Sequence, residues 1–459
     1  MSSKIRSYSI VNLFITGARL CLLLALLSFI TGSLVAFFLW LLQWATVFRQ
    51  AHIWLMLLLP LAGVVIYILY RLAGKNAEKG NNLILDEIHN PGGGVPARMA
   101  PLVLVSTVIT HLFGGSAGRE GTAVQMGGSV AALLGRWFRL SPADLVMLLT
   151  SGIAAGFGAV FGTPVAGAVF AIEVLAIGAM RYQMLLPCFV AAVLSDIVTS
   201  AYGIHHTQYS VTSLTANIHF LQLHIDALLL LKAAIAGICF GLAGRLFSGT
   251  AHQLKSFFKA LIPTEWLIPI VGGVLVIGSC YLLGTTDYTG LGVTSAKPGG
   301  VSIVDAFHTG GATPLSWWWK LLLTAITLSS GFKGGEVTPL FFIGATLGNT
   351  LATLWGAPID LFAALGFVAV FAGATNTPIA CTIMAIELFG GEYVLYYAVA
   401  CFIAYYCSGH TGIYTAQRIG RHKISRSAMN GITIGDVHKQ WTERNRERTR
   451  RWLRSLRRK

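Results

Sequence analysis

The stretch Gly118-Arg119-Glu120-Gly121-Thr122 places a carboxylate and a guanidinium inside a part of the chain that is otherwise apolar. The apolar run Met99 to Phe113 precedes it, and a glycine-rich, mostly apolar run follows directly. A charged side chain in hydrocarbon is costly, so an ionisable residue at this depth indicates a functional site. Glycines on both sides of Glu120 let the backbone approach another group closely and interrupt the helix. Because the N-terminus of a broken helix attracts anions, the stretch predicts an anion site with a carboxylate beside it.

The same pattern returns later in the chain. Residues 334–339, Gly-Gly-Glu-Val-Thr-Pro, repeat residues 118–122 as G-x-E-x-T. A second motif, T-P-[VI]-A-x-x-[VI]-x-A-I-E, occurs at 163–173 and again at 377–387, at nearly the same spacing. Two repeated motifs in one order predict a duplicated membrane domain with a transport site between its halves. Glu173 and Glu387, which end the second motif in each half, are interpreted as structural partners at helix ends.

Composition assigns the chain to the polytopic membrane proteins. Of its 459 residues 55% are apolar and only 11% are charged, and the mean hydropathy is +0.68. The prediction is an all-α membrane protein. Most apolar segments of the second half have 10 to 20 residues, which favours tilted and half-crossing helices, and the 51 glycines permit their close packing. The seven cysteines lie in or beside apolar runs without C-x-x-C spacing, so we expect no disulfide, no zinc site and no other cofactor.

The positive charge is concentrated at the end of the chain. The net charge is +15, and most of the excess lies between Arg418 and Lys459. Positive charge favours the cytoplasmic side of a membrane, so the C-terminus is predicted to be cytoplasmic. Trp441, Trp452 and Leu453 among the arginines favour an amphipathic helix on an anionic lipid surface, whereas binding to nucleic acid is disfavoured.

The sequence divides into five parts. They are a short N-terminal segment (1–18), a first membrane repeat (19–204), a polar linker (205–220), a second repeat (221–421) and a basic tail (422–459). The polar stretch 74–94 contains Asp86, Glu87 and His89, whose spacing fits no metal motif, so it is predicted to be a solvated loop. Within it Gly80-Asn81-Asn82 is predicted to begin a short helix capped by asparagine. Ser141-Pro142-Ala143-Asp144 has the pattern of a helix start.

These motifs resemble those of the CLC family of chloride channels and anion/proton antiporters. Residues 118–121, followed by Val-Gln-Met-Gly-Gly at 124–128, resemble its G-R-E-G-P signature. Residues 154–173 resemble the next helix pair, and 334–339 resemble its second signature, G-G-x-F-x-P. Tyr414 falls where the family carries an inner-gate tyrosine. The resemblance implies a homodimer with a separate anion pathway in each subunit and two inverted repeats within each subunit.

The departures from the family pattern point to one branch of it. Asn81 stands at the position of the serine that contacts chloride, and Val337 replaces the phenylalanine of the second signature. Val174 occupies the position of the inward-facing glutamate of chloride/proton exchangers, and Thr122 replaces the proline of G-R-E-G-P. Together these changes resemble the fluoride-transporting branch, whose members exchange fluoride for protons and protect bacteria from fluoride.

Glu120 is predicted to be the gate and the proton carrier. Ionised, its carboxylate would occupy the anion site; protonated, it would lose its attraction to the helix N-termini and swing out. A structural ion pair with Arg119 is the alternative interpretation. Asn81 would donate an amide N–H to the anion and Thr338 a hydroxyl, with plain helix capping as the alternative for both.

The remaining candidates surround the same predicted pocket. The amides of 336–338 would form a helix N-terminus that faces the anion. Glu336 would repel an anion there, so it is expected either to point away or to assist the movement of Glu120. Tyr414 would donate a hydrogen bond to the inner anion, or else be an ordinary interfacial tyrosine. The full set of predicted anion-binding residues is Asn81, Gly118, Arg119, Gly121, Glu336, Val337, Thr338 and Tyr414.

The leading hypothesis is a fluoride/proton antiporter of the bacterial inner membrane that works as a homodimer in the lipid bilayer. The alternative within the same architecture is a chloride/proton antiporter or a passive chloride channel. A different class, an intramembrane hydrolase, is disfavoured because the sequence contains neither an H-E-x-x-H motif nor paired aspartates. The chain is therefore predicted not to be an enzyme.

Overall fold

Helices dominate the structure, a computed structural model that describes residues 10–212, 219–220, 223–224, 226–295, 297–424, 428–437 and 439–440. The helices of the first half are α1 (Ile10–Ala51), α2 (Leu59–Leu69), α3 (Asn81–His89), α4 (Met99–Leu112), α5 (Glu120–Trp137), α6 (Pro142–Phe161), α7 (Pro164–Glu173) and α8 (Leu185–Ala201). Those of the second half are α9 (Ala227–Leu261), α10 (Leu267–Leu283), α11 (Ser316–Ser329), α12 (Val337–Trp355), α13 (Ile359–Thr375), α14 (Pro378–Phe389) and α15 (Val394–Cys407). Five short strands accompany them: β1 (Ala176–Ile177), β2 (His219–Phe220), β3 (Leu223–His224), β4 (Arg418–Arg421) and β5 (Ala428–Thr433).

The helices form a multi-pass membrane protein, as the sequence predicted. Within the described ranges, six segments are long and apolar enough to cross a membrane: Gly17–Ala51, Ile53–Lys79, Pro142–Phe161, Tyr182–Ala201, Ala227–Leu261 and Val337–Trp355. Six further apolar helices have only 10–17 residues. At about 1.5 Å per residue most of these are too short for a simple crossing, which confirms the expectation of uneven, broken segments.

Some helices form the centre of the molecule, and others form its apolar surface. Most side chains of α5, α6, α12 and α13 are buried. By contrast, α1 and α9 expose large apolar side chains such as Leu22, Trp40 and Leu231, each more than half exposed. Apolar exposure of this kind suits contact with lipid, so the central helices are shielded from both lipid and water.

Local sequence signals set several helix boundaries. Ser141 caps α6 by accepting the N–H of Asp144 at 3.2 Å, and Pro142 is the first helical residue, which confirms the predicted start. The same helix ends at Gly162, whose φ of 70° is the left-handed conformation that glycine adopts readily. Because α7 and α14 each begin with a proline after a threonine, the duplicated motif produces the same helix start twice.

The two halves hold each other through α7 and α14. The carboxylate of Glu173, at the end of α7, accepts two N–H bonds from the first turn of α14, and Glu387 of α14 does the same at the start of α7. The four donors, at N···O distances between 2.8 and 3.1 Å, are Ile379 and Ala380 for Glu173, and Val165 and Ala166 for Glu387. Reciprocal capping requires antiparallel helices, so the two glutamates are structural partners at helix ends, as predicted.

Regular structure continues across two of the predicted boundaries near the chain ends. Helix α1 runs without interruption from Ile10, so the division placed at residue 18 falls inside a helix, because this stretch is apolar and has no strong helix breaker. The tail predicted to begin at 422 first forms β5, which pairs antiparallel with β4, and β4 pairs in parallel with β1 of the first repeat. The amphipathic helix predicted around Trp441, Trp452 and Leu453 lies outside the described residues.

Two polar stretches are more ordered than predicted. Residues 81–89 form α3, the short helix predicted to begin there, but its polar side chains are not all solvated: buried Glu87 accepts the N–H groups of Gly92 and Gly94, and His89 lies 2.9 Å from the carbonyl oxygen of Leu175. These partners are long-range or depend on a turn, so the polar composition did not reveal them. The start of the predicted linker is likewise packed against the protein, as described for the site below.

Removing one of the reciprocal caps is expected to destabilise the protein. In Glu173→Ala the N–H groups of Ile379 and Ala380 lose their acceptor inside the protein, which should lower the free energy of unfolding by about 1–3 kcal/mol. The measurement is the melting temperature of purified protein in detergent. Glu173→Gln keeps one acceptor oxygen and should lose less, and Glu392→Ala on the exposed surface is the control. An unchanged melting temperature in Glu173→Ala would contradict the structural role.

Candidate anion site

The two repeats meet at a pair of glycines, each two residues before the start of α5 or α12, which we call the motif helices. The N–H of Gly118 donates to the carbonyl oxygen of Gly335 at 2.6 Å, and the N–H of Gly335 donates to that of Gly118 at 2.7 Å. A Cβ on Gly118 would lie 2.9 Å from Oε2 of Glu120 and 3.0 Å from the carbonyl oxygen of Gly335. Only glycine fits so close an approach of two backbones. The bridge therefore fixes the N-terminus of α5 against that of α12.

The carboxylate of Glu120 lies at the N-terminus of α12. It is only 1% exposed, and its Oε2 accepts the N–H of Thr338 at 3.0 Å and the N–H of Arg119 at 3.1 Å. The hydroxyl of Thr338 donates to Oε1 in a short hydrogen bond. Free N–H groups at the start of a helix attract negative charge. The structure thus brings Glu120 of one repeat and Thr338 of the other together in a pocket suited to an anionic group.

The side chain of Arg119 contributes less to this contact than its backbone. Its Nε lies 3.6 Å from Oε1 of Glu120, which is beyond hydrogen-bond distance, and has no hydrogen-bond partner. The ion pair considered from the sequence is therefore present but long, while the backbone and hydroxyl groups hold the carboxylate. The guanidinium instead lines an open pocket of about 290 Å³ together with Arg49 and Lys297, which we call the vestibule.

The side-chain amide of Asn81 lies next to Gly121, in the first turn of α5. A Cβ on Gly121 would lie 3.1 Å from Nδ2 of Asn81 and 3.3 Å from Cα of Gly335, so a larger residue there would require these neighbours to shift. The expected capping by asparagine is wrong: α3 is preceded by Gly80 with φ 57°, and no side chain caps it. The Asn81 side chain is thereby left free to face the site, and its Oδ1 is buried without a hydrogen-bond partner.

Glu336 and Glu120 line different cavities. Glu336 directly precedes α12, and its side chain lines a cavity of about 600 Å³ together with Lys79, Lys255 and Asp436, which we call the C-terminal cavity. Its Oε2 still lies 3.9 Å from the Cβ position of Gly121. Glu336 is therefore situated between the C-terminal cavity and the backbone beside Glu120.

The vestibule and the C-terminal cavity lie at opposite ends of the apolar segment Ile53–Lys79. Ile53, the first residue of one crossing segment, lines the vestibule, and Lys79, the last residue of the same segment, lines the C-terminal cavity. Glu120 and Glu336 lie between the two spaces. Two carboxylates, one near each space, thus occur where the two repeats meet.

Tyr414 is buried at this junction, within electrostatic range of the carboxylates of Glu336 and Glu120. Asn376 holds the segment around it by donating from Nδ2 to the carbonyl oxygen of Thr411 at 3.0 Å and to Oε1 of Gln417 at 2.9 Å. Sequence reasoning missed Asn376. The available signal was an asparagine directly after a predicted helix and before the repeated Thr-Pro, since asparagine tolerates the left-handed conformation (φ 61°) found here.

Sequence reasoning also missed the start of the linker. The ring of Tyr209 packs against those of Phe307 and Phe367, each 5.4 Å away between centroids. The N–H of Thr212 donates to Oδ2 of Asp360 at 2.7 Å. Residues 206, 207 and 209 line a small cavity beside Glu120. The adjacent histidines 205 and 206 in a mostly apolar sequence were the available signal for a functional segment.

Comparison with known proteins assigns the chain to a family of chloride channels and transporters. The sequence profile of the voltage gated chloride channel family matches residues 61–409. A "Chloride/fluoride channel protein" of Pseudomonas syringae pv. tomato is 46% identical over 95% of this chain and 94% of its own length. An "H(+)/Cl(-) exchange transporter ClcA" of Yersinia pestis is 26% identical over 63% of this chain and 61% of its own.

Solved structures share the fold. A "CLC-type fluoride/proton antiporter" has a TM-score of 0.82 at 34% identity, covering 90% of this chain and all of the other. A "slow cyanobacterial Cl-/H+ antiporter" has a TM-score of 0.68 at 21% identity, covering 85% and 94% of the two chains, which shows the fold alone.

A methyl group at the glycine bridge is expected to abolish transport while leaving most of the fold intact. In Gly118→Ala the new Cβ would lie 2.9 Å from both Oε2 of Glu120 and Cδ of Pro339, so the carboxylate must leave its pocket. Anion flux from proteoliposomes should fall by more than about tenfold, which corresponds to about 1.4 kcal/mol. Gly249→Ala is the matched control, because a Cβ there meets no atom within 4 Å. Native flux in Gly118→Ala would contradict the described geometry.

Proposed function

Because the chain belongs to the voltage gated chloride channel (CLC) family, we propose that it is an antiporter that exchanges fluoride for protons across the membrane. Anion/proton exchange within this family and a multi-pass membrane fold are supported by the relatives and by the helices described above. The choice of fluoride and the residue roles given below are proposals.

The main support for this proposal is the position of the Glu120 carboxylate, which is hydrogen-bonded at the N-terminus of α12. Its oxygens receive the N–H and the hydroxyl of Thr338, which are donors that a bound halide would need. Two negative groups cannot share one small pocket, so an arriving anion displaces the carboxylate. A proton on Glu120 removes its negative charge and weakens its hold on the helix N-terminus. One pocket that accepts either the carboxylate or the anion thereby links anion movement to protonation.

Fluoride is proposed over chloride because of the donors around this pocket. Fluoride is small and strongly hydrated, so a site must replace its lost water with good hydrogen bonds. Thr338 offers both an N–H and a hydroxyl, and Asn81 reaches the neighbouring Gly121 with an amide. The 46% identical relative named for chloride and fluoride and the fluoride/proton antiporter structure at 34% identity support this choice. Chloride/proton exchange or passive chloride conduction is the second candidate.

Chloride/proton exchangers of this family carry an inward-facing glutamate that transfers protons, and Val174 stands at its position here. Protons that enter from the C-terminal cavity therefore require another carrier. We assign this task to Glu336. Its side chain lines the C-terminal cavity and its Oε2 lies 3.9 Å from the Cβ position of Gly121, next to Glu120 in the chain. A carboxyl group in that position can take a proton from cavity water and pass it toward Glu120.

The physiological setting is proposed from charge and from the relatives. A bacterial inner membrane, a cytoplasmic C-terminus and a homodimer with one pathway per subunit fit the basic tail and the family. An inward proton gradient would then drive fluoride out of the cell.

A transporter is also favoured over an intramembrane hydrolase. Residues 114–118 read Gly-Gly-Ser-Ala-Gly, which matches the G-x-S-x-G pattern of a hydrolase nucleophile. Ser116, however, is fully buried, donates to the carbonyl oxygen of Tyr288 at 2.8 Å and lies 2.9 Å from Oγ1 of Thr324. Both partners are neutral oxygen atoms, and neither can act as the base that a serine nucleophile needs.

The exchange itself is tested in liposomes loaded with fluoride or with chloride while the internal pH is recorded. The native protein should release fluoride and take up protons against a proton gradient, and it should release chloride far more slowly. Glu120→Gln cannot be ionised, so proton movement should disappear. Equal chloride and fluoride flux would contradict the selectivity, and proton uptake in Glu120→Gln would contradict the coupling.

The hydroxyl of Thr338 is tested by a matched pair of variants. Thr338→Val keeps the shape but removes a donor, and a hydrogen bond to a charged group is worth about 1.5–3 kcal/mol. Fluoride flux should therefore fall about 10- to 100-fold. Thr338→Ser keeps the hydroxyl and should stay near the native rate. Equal rates in the two variants would show that the hydroxyl does not contact the anion.

A further inference from the structure

A small cavity separates Glu120 from the vestibule. Its volume is about 30 Å³, enough for one or two water molecules. Polar groups surround it on both sides: Arg119, Glu120 and Thr338 from the two motif helices, and His206, Thr207 and Tyr209 from the start of the linker. A water molecule here finds the several hydrogen-bond partners that buried water requires.

The cavity is the way by which the vestibule reaches Glu120. Arg119, Thr207 and Val293 line both spaces, so the two adjoin. The rest of the cavity wall is apolar, formed by Phe161, Phe341, Phe367 and Leu388. Besides Glu120, the side chains that line it include one imidazole, that of His206, and an imidazole ring can both accept and release a proton.

The surroundings of His206 suit an imidazole that gains and loses a proton. Nε2 is buried without a hydrogen-bond partner and lies 3.6 Å from Oδ1 of Asp196 on α8. Oδ1 is likewise buried and unpartnered. The ring is pressed against Gly162, where a Cβ would lie 2.4 Å from its Cδ2, so it cannot turn toward that side. A fixed imidazole beside a carboxylate is a common arrangement for proton transfer.

Four charged groups surround His206 on the elements packed around it. Asp196 lies on α8, and Arg119 and Glu120 line the shared cavity. Glu387 of α14 is within electrostatic range of Asp196 but is held by the N–H groups at the start of α7. Asp196 is thus the negative group directly opposite the imidazole.

We propose that His206, oriented by Asp196, relays protons between the vestibule and Glu120. This inference rests on the proposed proton-coupled function and names a further residue for it. The imidazolium gives one N–H proton to a cavity water, which passes one of its own protons to a carboxylate oxygen of Glu120. A neutral imidazole and a carboxylic acid remain, and the imidazole takes its next proton from water in the vestibule. The reverse sequence releases a proton to the same side.

The relay predicts a specific defect when the imidazole is removed. His206→Gln retains a polar side chain of similar size but cannot carry a proton. Proton-coupled fluoride flux at neutral pH on the vestibule side should fall about 100-fold or more, the lower end of what a positioned acid–base group contributes. The neighbouring His205 is exposed and does not line the cavity, so His205→Gln should keep the native rate.

A pH profile distinguishes a proton relay from a structural role. The flux of the native protein and of Asp196→Asn is measured as a function of pH on the vestibule side. Asparagine removes the negative charge that stabilises the imidazolium, so the rate should depend on pH at lower values than in the native protein. The melting temperatures of His206→Gln and Asp196→Asn are measured alongside, so that a folding defect is recognised.

The outcomes separate this inference from the proposed function. Native flux in a stably folded His206→Gln, or an unshifted pH profile in a stably folded Asp196→Asn, would overturn the relay and leave the antiporter intact. If His206→Gln is unstable, the profile of Asp196→Asn decides alone. Absence of any proton movement in the native protein would instead overturn the proposed function, and the relay with it.

Discussion

The structure depends on one contact between its two halves, the paired hydrogen bonds between Gly118 and Gly335. Because each glycine lies two residues before the first residue of α5 or α12, the bridge brings two helix N-termini to one point inside the protein. Backbone N–H groups without helical partners then face each other across the repeat boundary. The fold satisfies them with the carboxylate of Glu120, which belongs to one repeat and is bound by Thr338 of the other. The Glu120 carboxylate thus occupies a position in which a bound anion could sit, and the function proposed for this chain follows from that.

Glu173 and Glu387 also bind the N–H groups at helix N-termini, but they serve to join the two repeats. Each of these carboxylates lies at the end of a helix that is itself packed against its partner. Glu120 instead lies in the first turn of α5, beside a cavity that adjoins the vestibule. Access to water and a proton source distinguishes a carboxylate that can leave its pocket from two that only join the repeats. Selectivity would then depend on how well Asn81 and Thr338 replace the hydration of the anion.

Much of this arrangement could be predicted from the sequence, since the signals are local. The Gly-x-Glu pattern marks a helix break wherever it occurs, and its return at 334–338 indicates a second one. Proline after threonine at 164 and 378 fixes two helix starts. What could not be predicted depends on partners that are distant in the chain. Polar composition suggested a solvated loop at 74–94, yet Glu87 is buried because two later glycine N–H groups turn back to it. His206 and Tyr209 looked like parts of a spacer, and only the folded chain places them beside Glu120.

The central claim, that Glu120 and fluoride compete for one pocket, is tested most directly by proton linkage in equilibrium binding. Fluoride binding to purified protein is measured by titration calorimetry in buffers of different ionisation enthalpy, which reveals the protons taken up per bound anion. If fluoride replaces the carboxylate, binding should take up a proton, with the uptake approaching about one per site where Glu120 is ionised before binding, and should weaken as the pH rises. Glu120→Gln should bind fluoride without proton uptake and with little pH dependence. Fluoride binding to the native protein with no proton uptake at any pH would contradict the account.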